Sequence, residues 1–263
     1  MPELPEVETV VRSLAPRLAG RKILAARFTS KHVTPGNRAK LAERFIGRTI
    51  HGVRRRGKFI LIALDRGTLV VHLGMTGKLL LDGARGTHTH GIFTLDNGVL
   101  VYDDPRQFGR IEWSADDTTR ASELGPEPLE VSFDEFRARL RNRKTSIKAL
   151  LLNQKFLAGV GNIYADEALF LAGMHPLTVA SRIKAGQAAK LYQAIRDVLL
   201  LAIEHRGSSI SDYVDADGNR GDFQSLHRVY GREGEPCVNC SASITKIVVA
   251  QRGTHFCPRC QKR

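Results

Sequence analysis

Two groups of residues have types and spacing that could do chemistry, and they lie at opposite ends of the chain. At the start, Met1 is followed by Pro2, Glu3, Leu4, Pro5 and Glu6. A small second residue usually permits removal of an initiator Met, which would leave Pro2 as a free secondary amine. A generic α-amino group has a pKa of about 7.7–8.0 against about 10.4 for lysine, so its neutral, nucleophilic fraction at pH 7 is roughly a hundredfold larger. Amine attack on a sugar carbon gives a Schiff base, an electron sink for elimination. Glu3 and Glu6 stand beside the amine, and a carboxyl group near an apolar helix start can act as a general acid. The same residues are also ordinary composition for a capped helix.

At the other end, all four cysteines fall in the last 27 residues, as Cys237-x2-Cys240 and Cys257-x2-Cys260 with sixteen residues between the pairs. That is zinc-ribbon spacing: each pair offers two thiolates from one tight turn. Residues 244–249 and 251–256 read as the two strands of a hairpin. One Zn2+ held by four thiolates has no open coordination position, so the expected site is structural, stapling a segment too small for its own core. Unrelated buried thiols or two disulfides are the competing reading. Arg252 falls at the middle of the hairpin, where a side chain can be presented to a polyanion; alone it is an ordinary solvated arginine.

Charge points the same way. Forty Lys+Arg against 27 Asp+Glu give +13, with a pI near 10.0, and a polyanionic partner is the first expectation. Charge does not distinguish DNA from RNA, and a merely solvated basic face has the same sign. The 42% hydrophobic and 25% charged fractions are those of a soluble globular protein. No apolar run reaches the about eighteen residues of a membrane span. The first residues carry acid where a secretory signal carries base before an apolar core, so a cytosolic location is expected.

These groups need elements to position them. The 263 residues allow one or two domains, and two is the expectation. Val7, Val10, Val11, Leu14 and Leu18 recur at helical spacing, so the chain opens with a helix over 5–18, stopped at Gly20. From 23 to 113 the pattern is β, with strands near 59–64, 69–73, 92–95 and 99–102 joined by Asp-Arg-Gly and Asp-Asn-Gly turns, implying a sandwich or barrel. Gly125, Pro126 and Pro128 interrupt the pattern, and a domain boundary belongs there. Helices then follow near 133–141, 145–154, 162–172 and 185–204. The polar stretch 208–221 is too long for a simple connection and reads as mobile or ligand-ordered.

Ordered motifs run through the whole chain. Pro2-Glu-Leu-Pro-Glu-Val-Glu-Thr9, His72-Leu-Gly-Met75, His88-Thr-His90, Asp104-Pro-Arg-Gln-Phe-Gly109, Leu124-Gly-Pro-Glu-Pro-Leu129, Gly159-Val-Gly-Asn-Ile-Tyr164 and Gln251-Arg-Gly-Thr254 resemble segments of the formamidopyrimidine-DNA glycosylases, in that family's order. The resemblance implies an α+β fold: an N-terminal β-sandwich flanked by helices (1–123), a linker (124–132), a helix-two-turns-helix domain (133–228) with a lesion-capping loop (208–221), and a zinc-bound β-hairpin (229–263), with DNA in the cleft between the domains.

Roles carried over from the resemblance make Pro2 the Schiff-base nucleophile, Glu3 the acid that assists opening of the deoxyribose, and Lys58 the lysine linked to β-elimination and phosphate binding. Arg252 matches the finger arginine tied to phosphate binding and δ-elimination. Met75, Arg106 and Phe108 resemble the trio that fills the void left by an everted base, with Glu6 beside the lesion. His72, His88, Arg143, Lys144, Lys148 and Asn162 look like DNA contacts; Gly161 and Asn162 open a helix whose N–H groups suit a phosphate. Gln107 stands where the family commonly has a basic residue. His88-x-His90 also allows a metal reading, with no third ligand nearby in sequence.

The expected activity is excision of oxidised purines (8-oxoguanine, formamidopyrimidines) from double-stranded DNA, then β,δ-elimination at the abasic site. The expected enzyme is a monomer with one structural Zn2+, in the bacterial cytosol and nucleoid. Two rivals stand beside it: an endonuclease VIII-like enzyme for oxidised pyrimidines, and a non-catalytic zinc DNA-binding protein.

Overall fold

The computed structural model describes residues 1–115, 120–210 and 212–262. Ser211 of the expected lesion loop, 116–119 of the first expected domain and Arg263 of the third lie outside the described residues. Two compact units are present: Met1–Glu123 with Ile203–Gln224, and Leu124–Ala202 with Ser225–Arg263.

In the first unit, helix α1 (Leu4–Leu18) leads into β1 (Ile23–Phe28), a short α2 (Arg38–Phe45), and strands β2 (Ile50–Arg56), β3 (Phe59–Leu64), β4 (Thr68–His72), β5 (Lys78–Leu81), β6 (Thr89–Leu95), β7 (Val99–Asp103) and β8 (Arg110–Ser114). The strands form two antiparallel four-stranded sheets, ordered β1-β6-β7-β5 and β2-β3-β4-β8. A sandwich was expected, and the core bears it out: Ile60, Ile62 and Val71 of one sheet and Phe93, Leu100 and Tyr102 of the other belong to one buried cluster with Val7, Leu14 and Leu18 of α1. Phe28, Phe45 and Phe93 meet edge to face with centroids 5.4–6.0 Å apart. Helix α2 is absent from the sequence reading because it buries only Phe45 and so carries little periodicity; Asn37, accepting from the Lys40 amide at 3.1 Å, caps it.

The segment Ile203–Gln224 groups with the first compact unit, and among its described residues it makes many contacts there. Tyr213 and Ala216 enter the sandwich core. The Leu81 amide donates to the Ala216 carbonyl at 3.0 Å, the Ala216 amide to Ser13 Oγ at 3.3 Å, and Arg17 pairs with Asp217 at 2.6 Å. Asp215 folds the turn that follows, its Oδ1 accepting from the Asp217 and Asn219 amides at 2.9 and 2.8 Å. Polar composition suggested mobility; two apolar side chains and an Asp-centred turn supply the anchoring.

The second unit contains α3 (Phe133–Leu140), α4 (Ile147–Leu152), α5 (Asn162–Leu171) and α6 (Ala185–Glu204, its last two residues in the first unit), then the hairpin β9 (Thr245–Val249) and β10 (Arg252–Phe256). Ser132 and Ser146 cap α3 and α4 through the Glu135 and Ala149 amides. Residues 163–170 of α5 are all buried, so this helix lies in the interior of the unit. The expected linker 124–132 is packed into the unit: Pro126 accepts from the Ala158 amide at 3.0 Å, Val131 from Tyr192 Oη at 2.8 Å and Leu129 from Arg196 at 2.6 Å. Among the described residues no helix is long and apolar enough to cross a membrane.

Candidate active site and nucleic-acid surface

Pro2 is buried beneath an exposed Met1, and Glu3 is the N-cap of α1. Glu3 and Glu6 close a capping box: the Glu6 amide donates to the Glu3 side chain, and the Glu3 amide donates to Glu6 Oε2 at 2.7 Å. Both carboxylates are nearly inaccessible, 3% and 2% exposed, at the positive end of the helix. Glu6 Oε1 accepts the Ser208 amide at 2.7 Å, and Tyr213 donates its hydroxyl to the Glu6 carbonyl at 3.2 Å. Burial and then the Glu6 charge push the Tyr213 phenol up, so it stays protonated as that donor. Both Glu6 oxygens thus accept hydrogen bonds within the protein, where they brace the helix start.

Lys58 sits in the turn between β2 and β3 and is 7% exposed. Glu8 on α1 accepts from Arg55 at 2.9 Å and from Arg12 at 2.8 Å, and Arg55 also donates to the Gly57 carbonyl at 3.1 Å. This chain of contacts fixes the Lys58 turn against α1. Burial works to raise the Glu8 pKa, but the hydrogen bonds and charges of Arg12 and Arg55 outweigh it and hold the carboxyl below its ordinary value.

His72, at the end of β4, accepts the Gly74 amide on Nδ1 at 3.1 Å, which leaves its neutral-state proton on Nε2. Its ring lies 4.9 Å from that of Phe59, and both line a depression of about 280 Å3 with Phe108, Arg110 and Glu112. Met75 and Phe108 are exposed at 36% and 52%, unusual for apolar side chains, and the Arg106 guanidinium lies over the Phe108 ring at 4.6 Å. Gln107, with φ +53°, accepts from Ser30 Oγ at 2.5 Å, so here this side chain anchors the loop. His88 is exposed, whereas His90 is buried with Nδ1 3.1 Å from Thr29 Oγ1. Among the described residues, the one group of three or more ligands able to hold a metal is the four cysteines, so the His-x-His metal reading gains no partner.

In the second unit, Arg252 is exposed at the start of β10, just after a two-residue turn in which Ala250 and Gln251 both have positive φ, +49° and +59°. Such a turn normally selects Gly or Asn. Asn162, the first residue of α5, donates Nδ2–H to the Gly253 carbonyl at 2.9 Å and so joins the helix start to the residue after Arg252. Arg143 and Lys144 are exposed between α3 and α4, and a depression of about 210 Å3 nearby is lined by Arg137, Arg141 and Lys184.

Lys148 is not at the surface: it is 0% exposed, its ammonium 2.6 Å from Asp166 Oδ1 and 3.0 Å from the Asn162 carbonyl. The expectation of a direct DNA contact is therefore corrected to an internal brace. Asp166 Oδ2 accepts the His255 amide of β10 at 3.0 Å. The next residue, buried Glu167, accepts the amides of Arg228, Val229 and Tyr230 at 2.9–3.1 Å. Burial raises the Glu167 pKa, and the amides offset this only in part. Helix α5 thus holds β10 through Asp166 and the segment that leads to the zinc ribbon through Glu167. Sequence reading missed Asp166, Glu167, Glu8 and Arg55, because a lone acid or arginine carries no signal of its partner.

The four Sγ atoms lie within 4.8 Å of one another, with Cys237–Cys260 at 3.9 Å and Cys240–Cys257 at 3.5 Å. Zn–S bonds of about 2.3 Å at tetrahedral angles require S···S of roughly 3.8 Å, whereas a disulfide requires about 2.05 Å. The cysteines fit one structural Zn2+ and exclude the disulfide reading. Phe170, Val229 and Ile244 are the apolar residues buried with them, a cluster too small to hold the ribbon alone.

Comparison with known proteins gives three matches in chain order: the formamidopyrimidine-DNA glycosylase N-terminal domain over residues 1–111, the formamidopyrimidine-DNA glycosylase H2TH domain over 124–214, and a zinc finger found in FPG and IleRS over 234–263. The formamidopyrimidine-DNA glycosylase of Solibacter usitatus is 58% identical over 265 residues, covering all of both chains. That of Herpetosiphon aurantiacus is 48% identical over 99% of this chain and 100% of its own. Among solved structures, a Lactococcus lactis FPG mutant bound to Fapy-dG containing DNA superposes with TM-score 0.92 at 40% identity, covering 100% of each chain. MutM (FPG) from Thermus thermophilus superposes with TM-score 0.90 at 45% identity, over 99% of this chain and 98% of its own.

Proposed function

The chain belongs to the formamidopyrimidine-DNA glycosylase family, and on that premise we propose that it excises 8-oxoguanine and formamidopyrimidines from double-stranded DNA and then cleaves the strand at the abasic site. The observation that carries this reading is the pair of buried carboxylates, Glu3 and Glu6, locked in a capping box immediately after Pro2. Glu6 braces this helix start, and a buried acid, Glu3, directly follows a potential amine nucleophile that binding alone does not require.

With Met1 removed, the neutral Pro2 nitrogen attacks C1′ of the damaged nucleotide as the bond from C1′ to the base breaks, and the base leaves with that electron pair and takes up the proton the nitrogen loses. The lone pair restored to nitrogen then forms the iminium, while Glu3 hands a proton to the ring oxygen as the deoxyribose opens. Loss of a proton from C2′ expels the 3′ phosphate, and a second elimination expels the 5′ phosphate. Lys58 and Arg252 serve these two eliminations, holding the phosphates that leave. Met75, Arg106 and Phe108 fill the vacated space, and their exposure supports that role. His72 through Nε2–H, His88, Arg143, Lys144 and the amides at the start of α5 grip other phosphates. Bound Zn2+ supplies no chemistry here; it gives the Arg252 turn a rigid base. The enzyme acts as a monomer in the bacterial cytosol.

The test is borohydride trapping on a duplex with 8-oxoguanine opposite cytosine, comparing wild type with Pro2→Gly and Glu3→Gln and mapping the adduct by mass spectrometry. A covalent adduct at Pro2 is expected. Trapping only on oxidised pyrimidines would overturn the substrate assignment in favour of an endonuclease VIII-like enzyme. A bound duplex with neither adduct nor nick would overturn the catalytic reading altogether.

A further inference from the structure

Met75 and the Arg106–Phe108 pair sit on separate excursions of the chain, 73–77 between β4 and β5 and 104–109 between β7 and β8, yet the two backbones touch. Gly74 has φ +64°, and a Cβ there would lie 2.5 Å from the Gly109 nitrogen and 2.6 Å from the Phe108 carbonyl carbon. Only glycine permits this approach.

Asp104 supplies the polar link between the excursions, and it is 0% exposed. Its Oδ1 accepts the Thr76 hydroxyl at 2.6 Å, while Oδ2 accepts the Gly109 amide at 2.9 Å and the Tyr102 hydroxyl at 3.2 Å. Its own amide donates to the His88 carbonyl at 2.9 Å, and its carbonyl accepts the Gln107 amide at 3.2 Å. Thr76 Oγ1 in turn lies 3.4 Å from the Arg106 amide that points at it. One buried side chain therefore touches the residue after Met75, the residue after Phe108 and, through Thr76, Arg106 itself. A buried carboxylate with three donors is held far more firmly than any of the exposed side chains it supports.

We propose that Asp104 is a positioning residue for base eversion: it locks the Met75 turn and the Arg106–Phe108 loop into a single preformed head, so that the three side chains enter the duplex together. The proposal rests on the glycosylase reading above. Preorganisation of this kind spends ordering entropy during folding, leaving less to lose when DNA binds.

Removing Asp104 outright endangers folding, so the decisive variant is Thr76→Val, which cuts the Oδ1 arm and leaves the bonds to Tyr102 and Gly109 in place. Asp104→Asn is the conservative control: its oxygen still accepts from Gly109 and Tyr102, and the Thr76 hydroxyl can turn to accept from the new amide. Two single-turnover rates are compared in the same duplex, excision of 8-oxoguanine opposite cytosine and cleavage of a preformed abasic site, where no base has to leave the stack. Fluorescence of 2-aminopurine beside the lesion reports eversion directly. Thr76→Val is expected to slow excision and eversion about 10- to 100-fold while abasic cleavage stays within about twofold, with Asp104→Asn close to wild type. Equal slowing of both reactions, or unimpaired eversion in Thr76→Val, would overturn the proposal. A wild-type protein that excises no lesion would bring down the glycosylase reading on which it rests, and the two failures are told apart by that control alone.

Discussion

The amide of Ser208 donates a 2.7 Å hydrogen bond to Oε1 of Glu6, joining residues 202 positions apart in the chain. Because Oε2 of the same carboxylate accepts from Glu3 at 2.7 Å, one side chain fixes both the helix start next to Pro2 and the first turn of the 208–221 segment. Gly207 lies against it with φ +77°, and a Cβ at that position would come 2.6 Å from Oε1.

Replacing Glu6 by Ala therefore leaves two buried amides without a charged acceptor, each worth about 1.5–3 kcal/mol. Urea unfolding should show a loss of about 3–5 kcal/mol. Gly207→Ala, strained by its φ and pressed against Glu6, should cost at least about 1 kcal/mol. A Glu6→Ala protein as stable as wild type would mean that the carboxylate does not brace the segment.

Glu8 gives a pH dependence whose sign follows from its environment. Its folded-state pKa lies below the ordinary 4.5 because the Arg12 and Arg55 contacts outweigh burial. The carboxylate therefore contributes stability that is fully present above pH 4.5 and is lost as pH falls through the lower, folded value. Denaturant unfolding at neutral pH should find Glu8→Gln less stable than wild type, and the difference should shrink on acidification below that pH. A gap that is constant with pH would show that the pair with Arg55 carries no linkage.

The zinc hairpin offers a test in the opposite direction. Ala250 and Gln251 both occupy the left-handed region, at a cost of order 1 kcal/mol each. Ala250→Asn with Gln251→Gly should raise the thermal midpoint of the zinc-loaded protein and leave its duplex affinity unchanged. Stripping zinc with a chelator should release one equivalent of metal, unfold the ribbon and abolish duplex affinity in both proteins. A chelated protein that still binds DNA would show that the ribbon takes no part.

Much of this was legible in the sequence where a residue's spacing is its own signature. The cysteine pairs, the apolar stripe of α1 and the turn-bounded strands of the sandwich all announce themselves through fixed intervals, and each stands in the structure. The packing of segment 203–224 was not legible because its anchors, Tyr213 and Ala216, are two isolated apolar residues in a polar stretch, with no period to reveal a buried face. Glu6 and Lys148 were singled out by type and motif, but their burial was not legible. Their partners, Ser208 and Asp166, are ordinary residues made informative only by the fold.

Lys148 and Asp166 allow a sharper distinction between structure and function. Both are 0% exposed, 2.6 Å apart, and Asp166 also holds the His255 amide of β10. Lys148→Met leaves an uncompensated buried carboxylate and should cost about 3–5 kcal/mol, whereas the double change Lys148→Met, Asp166→Leu removes both charges and should recover much of that loss. The double variant nonetheless loses the acceptor for His255 and the donor to the Asn162 carbonyl, which together position the Arg252 turn and the start of α5. Its thermal midpoint should approach wild type while its duplex affinity remains weakened. Recovery of both together would show that the pair serves stability alone; loss of affinity in a stable protein would establish that this buried pair sets the geometry of the nucleic-acid surface without touching it.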